Sequence, residues 1–166
     1  MAWHIAQLNV GRAVAPTNSP ALAEFMAALP RINALADAAP GFVWRLQTAA
    51  GNATEIKVSA DPQFIINMSV WQSVEALFDY VYRSMHASFM VRRREWFEKP
   101  VEAYHVLWWV PAGHIPSTAE AMARLDHVRR HGPSAHAFTF KERYPAPNVA
   151  GGPIDMKPEP YCVGWA

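Results

Sequence analysis

The feature that most constrains the fold is segment 67–77, in which a strand pattern runs directly into a helix pattern. Residues 64–71 are rich in β-branched and aromatic side chains, which favours a strand. Ser73 is a helix N-cap residue, and apolar residues then recur at helical spacing at positions 74, 77, 78, 81 and 85. Because only one residue separates the two patterns, the helix must fold back against the sheet. The segment therefore predicts an α+β domain.

The other patterns complete a β-α-β-β-α-β order, followed by one more helix and strand. Strands are predicted at 3–10, 42–46, 64–71, 104–110 and 137–141. Helices are predicted to begin after Ser19, Ser73 and Ser117, the last in a capping box with Glu120, and Pro30 should kink or restart the first. The second helical pattern extends as far as position 97. This order is that of a ferredoxin-like fold, an antiparallel sheet with helices on one face.

The length of 166 residues suits one domain, which we place at 1–144. Residues 145–166 form a tail rich in Pro and Gly without periodicity, so we expect it to be dispensable for folding. Several strands are apolar on both faces, and a monomer does not tolerate a large exposed apolar face. We therefore predict a homodimer joined through the uncovered sheet faces.

Composition argues against several classes of function. A net charge of +1 gives no bulk electrostatic attraction for nucleic acid or a membrane surface. The single Cys162 excludes an intrachain disulfide, and unclustered carboxylates give no support to a metal site. The sequence shows no signal peptide and no long apolar run, so we expect a cytoplasmic protein. Phosphate loops, dinucleotide fingerprints and the Gly-x-Ser-x-Gly elbow of hydrolases are absent from the sequence.

Four stretches resemble a bacterial family known only as a domain of unknown function. They are Gly-Phe-Val-Trp-Arg-Leu at 41–46, segment 67–77, Leu-Trp-Trp-Val-Pro-Ala-Gly-His-Ile-Pro at 107–116, and Ala-Phe-Thr-Phe at 137–140. The resemblance covers roughly residues 3–144. That family is similar to the dimeric α/β-barrel superfamily, which includes antibiotic-biosynthesis monooxygenases, haem-degrading monooxygenases, muconolactone isomerases and chlorite-dismutase-like haem proteins. The resemblance implies a dimeric α/β barrel with a ligand cleft between sheet and helices, and chemistry ranging from cofactor-free oxygenation to isomerisation.

His86 and Asn67 are the predicted catalytic residues. His86 falls near the end of the helix that follows Ser73, or in the continuation of that helix, where it is either an acid or base, a haem ligand, or a structural histidine hydrogen-bonded in the core. Asn67 and Asn9 lie on strands and offer amide hydrogen-bond donors to a ligand oxygen, unless the core itself satisfies them.

Six residues are predicted to bind substrate. Asn9 is one of them. Arg45 and Arg93 are candidates to hold an anionic group, and Arg93 is the member of Arg92–Arg94 that falls on the apolar stripe. Trp71 and Trp108 are candidates for an aromatic wall, and His114 for the mouth of the cleft.

Three functions follow as hypotheses. The first is a homodimeric enzyme, monooxygenase-like or isomerase-like, that acts without a cofactor on a small apolar or aromatic substrate. The second is a haem-binding protein with His86 as the axial ligand. The third is a dimer that binds a ligand without catalysis.

Overall fold

The computed structural model describes residues 2–155 and contains a four-stranded sheet with four helices in this range. The strands are β1 (Trp3–Arg12), β2 (Phe42–Arg45), β3 (Phe64–Trp71), β4 (His105–Pro111), β5 (Glu142–Arg143) and β6 (Ile154–Asp155). The helices are α1 (Ala23–Asp37), α2 (Val74–Arg83), α3 (His86–Val91) and α4 (Thr118–His131), with short 3-10 helices at Pro20–Leu22 and Arg93–Glu95. None of the helices between residues 2 and 155 combines the length and apolarity needed to cross a bilayer.

The main sheet has the strand order β2-β3-β1-β4, and all its neighbours are antiparallel. The two central strands, β1 and β3, are the long apolar ones, and the edge strand β2 is only four residues long. This is the strand order of the ferredoxin-like fold, and the predicted α+β class is confirmed.

The sheet packs helices on both faces rather than one. On the first face, Ala6, Leu8 and Val70 pack with Ala121 and Leu125 of α4. The second face carries α1 and α2 and is called the cavity face below. Helices α1 to α3 form the single helical layer that the sequence predicts. Helix α4 departs from this prediction, because its apolar stripe covers the sheet face that was predicted to be uncovered. The homodimer stays a prediction, but an uncovered sheet face no longer motivates it.

Two serine caps fix the starts of α2 and α4, as the sequence predicts. The Ser73 hydroxyl accepts from the Ala76 amide at 3.1 Å, and the Ser117 hydroxyl accepts from the Glu120 amide at 3.1 Å. The capping box is only half formed, because the Glu120 carboxylate accepts from the Trp108 indole instead of returning to the cap.

Of the two alternatives predicted for Pro30, a kink or a restart, the restart does not occur, because helix α1 continues through Pro30. One helix prediction is wrong. The predicted continuous helix after Ser73 instead ends at Arg83, because Ser84 adopts an extended backbone. The Ser84 hydroxyl donates to the Tyr80 carbonyl and accepts from the His86 amide, so one side chain closes α2 and opens α3.

The predicted strand at 137–141 is a single bridge. Phe138 exchanges two backbone hydrogen bonds of 2.8 Å with Leu107 on the edge of β4. A turn closed by Ser134 and Ala137 precedes it, and the backbone turns again towards Glu142, so no longer ladder forms. Beyond position 144, β6 pairs with β5, and the part of the tail after residue 155 lies outside the described residues.

Candidate functional site

A cavity of about 190 Å³ lies between the cavity face of the sheet and the helices. For comparison, an engineered apolar cavity of about 150 Å³ holds one benzene molecule. The helical wall is apolar and consists mainly of Phe25, Leu29 and Ile32 of α1, Leu77 and Val81 of α2, and Phe89 and Met90 of α3. Its size and lining suit a small aromatic molecule.

The sheet side of the cavity is polar, because strand register brings three polar residues side by side. Asn9 on β1 lies opposite Asn67 on β3 and opposite His105 on β4. Side chains at directly opposed positions stand about 5 Å apart on the same face. Gln7 and Ser69 form the next row, and the Gln7 amide donates to the Asn67 side-chain oxygen at 2.7 Å and to the Ser69 hydroxyl at 3.0 Å. We call Asn67, Asn9 and His105 the polar row.

Asn67 is exposed although it lies on a central strand, because its side chain faces the open cavity. The bond from Gln7 occupies its oxygen and orients the amide. Its amide nitrogen makes no hydrogen bond to other groups within residues 2–155, and the same holds for the Asn9 side chain. Both predicted amide donors are therefore placed where a ligand could accept from them.

His86 opens α3 and lines the cavity. Its Nδ1 lies 3.2 Å from the Val81 carbonyl oxygen, so Nδ1 carries the proton and donates it there. Burial lowers the pKa of His86, and the Val81 carbonyl opposes this shift. The ring is thus neutral near pH 7, with Nε2 as its basic nitrogen. It also packs 4.8 Å from the Tyr80 ring.

His105 is a cavity residue that we did not predict. Its ring stacks on Phe140 at 5.3 Å and 15°. Its Nε2 is buried and has no hydrogen-bond partner within residues 2–155. Burial lowers the pKa of His105 to about 4, so this ring is also neutral near pH 7.

Both predicted arginines reach the cavity, but in different states. Arg45 directs its guanidinium to the Asp37 carboxylate at 2.7 and 3.1 Å and to the Gly51 carbonyl at 2.8 Å. The guanidinium of Arg45 is thus already hydrogen-bonded, and it links β2 to α1. Arg93 is buried, 7% exposed, and its orientation towards the interior is confirmed.

Arg93 is held at one end of the cavity by the backbone and by two rings. It donates to the Val10 carbonyl at 3.0 Å and stacks over Phe97 and Tyr104 at 5.1 and 4.8 Å. Burial lowers its pKa from 12.5. Gly11 makes room for it, since a Cβ there would lie 2.7 Å from Arg93 Nη2.

The predicted aromatic and mouth residues separate into two groups. Trp71 lines the cavity, stacks on Tyr80 at 5.0 Å, and donates its indole N–H to Ser69 at 2.8 Å. Trp108 does not line it, because an even position on β4 points to the opposite face, towards α4. His114 is also elsewhere, in the loop before α4, with Nε2 2.8 Å from the Glu120 carboxylate. The cleft roles predicted for Trp108 and His114 are therefore wrong.

The size of the cavity argues against the haem hypothesis. A haem, with four pyrrole rings, is several times larger than benzene and does not fit this cavity beside His86. No group of three or more His, Cys, Asp or Glu side chains in residues 2–155 is arranged to hold a metal ion. The sequence also contains one His-x-x-x-His pair, His127 and His131, which the argument against a metal site did not take into account. Their rings lie 5.0 Å apart, outside the cavity.

Residues 4–151 match the family described as "Domain of unknown function (DUF3291)". The chain belongs to this family. The predicted membership of a family known only as a domain of unknown function is thereby confirmed, and the description of DUF3291 assigns no activity. Membership of the dimeric α/β-barrel superfamily stays a prediction. Among curated proteins, none matches this DUF3291 chain.

Two solved structures are similar to this DUF3291 domain. One is a mutant of SnoaB, a cofactor-independent oxygenase from Streptomyces nogalater, with 13% identity, a TM-score of 0.45, and coverage of 68% of this chain and 95% of that one. The other is a protein of unknown function, NE2512, from Nitrosomonas europaea, with 19% identity, a TM-score of 0.41, and coverage of 69% and 96%. At these values the likenesses carry no inference about chemistry.

Proposed function

We propose that this protein binds a small aromatic molecule in the cavity and removes a proton from it with His86. The observation that carries the proposal is the state of His86. The Val81 carbonyl fixes the neutral tautomer, and the lowered pKa keeps the ring unprotonated near pH 7, as a general base requires. The apolar helical wall supplies the surface for an aromatic ring.

Removal of a proton beside a carbonyl or from a ring hydroxyl creates an enolate or phenolate oxygen. Asn67 and Asn9 lie on the sheet side of the same cavity and supply amide N–H groups for that oxygen. Gln7 holds Asn67 before the ligand arrives, so little reorganisation accompanies the reaction. Arg93 adds a buried positive charge that favours the same anion.

The proposed chemistry is isomerase-like or monooxygenase-like, and neither form needs a cofactor. In the isomerase-like form, His86 returns the proton to a different carbon, and no second reactant is consumed. In the monooxygenase-like form, the electron-rich carbanion reacts with dioxygen, so that a CH₂ group becomes C=O and the second oxygen atom leaves as water.

Proton exchange tests the base directly. Acetophenone, an aromatic ketone with acidic methyl protons, is incubated with the protein in D₂O, and loss of the methyl proton signal is followed by NMR. We expect exchange above the buffer rate for the wild type and for His114→Ala, which alters a histidine outside the cavity. His86→Ala should remove the acceleration. Equal exchange by His86→Ala and the wild type would refute the proposed base.

Binding of 4-hydroxyacetophenone, whose hydroxyl can donate to His86 Nε2, separates a catalytic His86 from a structural one. His86→Ala should weaken its binding by about 1–3 kcal/mol, because that buried hydrogen bond is lost. Folding should suffer less than after a core Leu→Ala change, which costs about 2–5 kcal/mol. Strong destabilisation with intact binding would identify His86 as structural. Binding without exchange in the wild type would support a ligand-binding protein without catalysis.

A further inference from the structure

The sheet side of the cavity contains a polar atom whose partner is missing from the described part of the chain. His105 Nε2 is buried within the wall and makes no hydrogen bond to residues 2–155. A buried polar group without a partner costs free energy that a well-placed ligand atom can recover. His105 also belongs to the polar row that lines the cavity, where it lies opposite Asn9. The pattern indicates a ligand oxygen at this end of the cavity.

The charge of the cavity wall indicates which chemical group of the ligand carries this oxygen. The cavity lining contains two arginines and no Asp or Glu among residues 2–155. Asp37 offsets the charge of Arg45 from outside the lining. Arg93 lies at the His105 end, since its guanidinium stacks on Tyr104 and the Tyr104 ring lies 6.2 Å from that of His105. A buried carboxylate needs both a nearby cation and hydrogen-bond donors.

We propose that the ligand is a small aromatic carboxylate whose carboxylate group lies between His105 and Arg93. This inference rests on the proposed function only in taking the cavity as the ligand site. His105 donates from Nε2 to one carboxylate oxygen, and Arg93 supplies the compensating charge. The aromatic ring then lies against the apolar helical wall, where His86 opens α3 on the opposite layer. His105 is accordingly a residue that determines specificity and takes no part in proton removal.

The test compares two probes of nearly equal shape, benzoate and the uncharged benzamide, with toluene as the apolar reference. Binding to the wild type, His105→Phe and His114→Phe is measured by titration calorimetry at pH 7. His105→Phe places a somewhat larger apolar ring where the imidazole stacks on Phe140, and it removes both ring nitrogens. His114→Phe is the matched control, because His114 lies outside the cavity.

We expect the wild type and His114→Phe to bind benzoate about tenfold or more tightly than benzamide. His105→Phe should lose about tenfold in benzoate affinity, which equals about 1.4 kcal/mol, with toluene unchanged within about threefold. If His105→Phe does not fold, His105→Gln should retain part of the preference, because it keeps an N–H donor.

Three outcomes overturn the proposal in distinguishable ways. Equal binding of benzoate and benzamide by the wild type would remove the carboxylate but leave the cavity as an aromatic site. A benzoate preference that survives in His105→Phe would remove the role of His105. Failure of all three probes to bind, even to the wild type, would remove both this inference and the proposed function.

Discussion

Replacement of His105 by Phe should stabilise the protein, and more so in acid than at neutral pH. At pH 7, the change removes a buried nitrogen that has no partner within residues 2–155, while the stacking on Phe140 is kept. An unsatisfied buried polar group costs about 1–3 kcal/mol, so the variant should gain up to this amount.

The acid part of the prediction follows from the pKa of His105, about 4 in the folded protein against an ordinary value of 6.5. Between these values the unfolded ring binds a proton and the folded ring does not, so wild-type stability falls as the pH falls. Each pH unit below 6.5 lowers the free energy of unfolding by about 1.36 kcal/mol, so the total loss reaches about 3 kcal/mol near pH 4. Phe binds no proton, so this loss is absent from the variant. Arg93 and Arg143, the nearby charged groups, stay cationic throughout.

Urea unfolding followed by tryptophan fluorescence measures both effects. The free-energy difference between His105→Phe and wild type should grow by about 3 kcal/mol from pH 7 to pH 4. Because both proteins keep every other titrating group, their contributions largely cancel in this difference. His131→Phe, which replaces an exposed histidine, serves as the control. A difference that is the same at both pH values would show that His105 is not buried as a neutral ring.

Three further predictions concern packing and assembly. Gly11→Ala should lower stability by about 1–3 kcal/mol and weaken benzoate binding, because the added Cβ would lie 2.7 Å from Arg93 Nη2 and 2.8 Å from Phe97. Thermal unfolding measures the change in stability, and calorimetry measures the change in binding. Static light scattering should give about twice the chain mass of 18.6 kDa if the predicted homodimer forms through a surface other than the one under α4, and a mass of 18.6 kDa would rule it out. Truncation after Pro147 should leave the melting temperature within a few degrees, since the two-residue strand β6 is the only helix or strand that it removes from the described residues; a collapse in expression would show that the tail covers the core.

The sheet and its caps could be predicted because the relevant signals are local. Alternation and β-branched residues placed β3 at 64–71, and the hydroxyls of Ser73 and Ser117 marked two helix starts. The break at Ser84 was missed because a side-chain bond to the Tyr80 carbonyl ended a helix whose apolar spacing continues beyond it. The place of α4 was missed because apolar strands do not reveal whether a helix or a second subunit covers them.

Site residues could be predicted where the residue itself stood out in the sequence. They could not be predicted where their role depends on the register of the strands. His86, Asn67 and Arg93 were found as polar residues within apolar patterns. His105 alternates with Leu107 in the same way, but its importance depends on its position opposite Asn9, which only strand pairing reveals. Trp108 was assigned to the cleft because both faces of β4 are aromatic, and sequence alone could not tell which face α4 would cover.

The break at Ser84 also makes the stability of α3 depend on whether the cavity is occupied. Helix α3 has six residues, none of them fully buried, and a helix this short is not stable in water without tertiary contacts. Its order therefore depends on the inward side chains of His86, Phe89 and Met90, which line the cavity. Backbone amides of α3 should exchange with solvent deuterium through local opening, at a free-energy cost well below that of global unfolding. Occupancy of the cavity should slow this exchange in α3 and leave the amides of β1 and β3 unchanged.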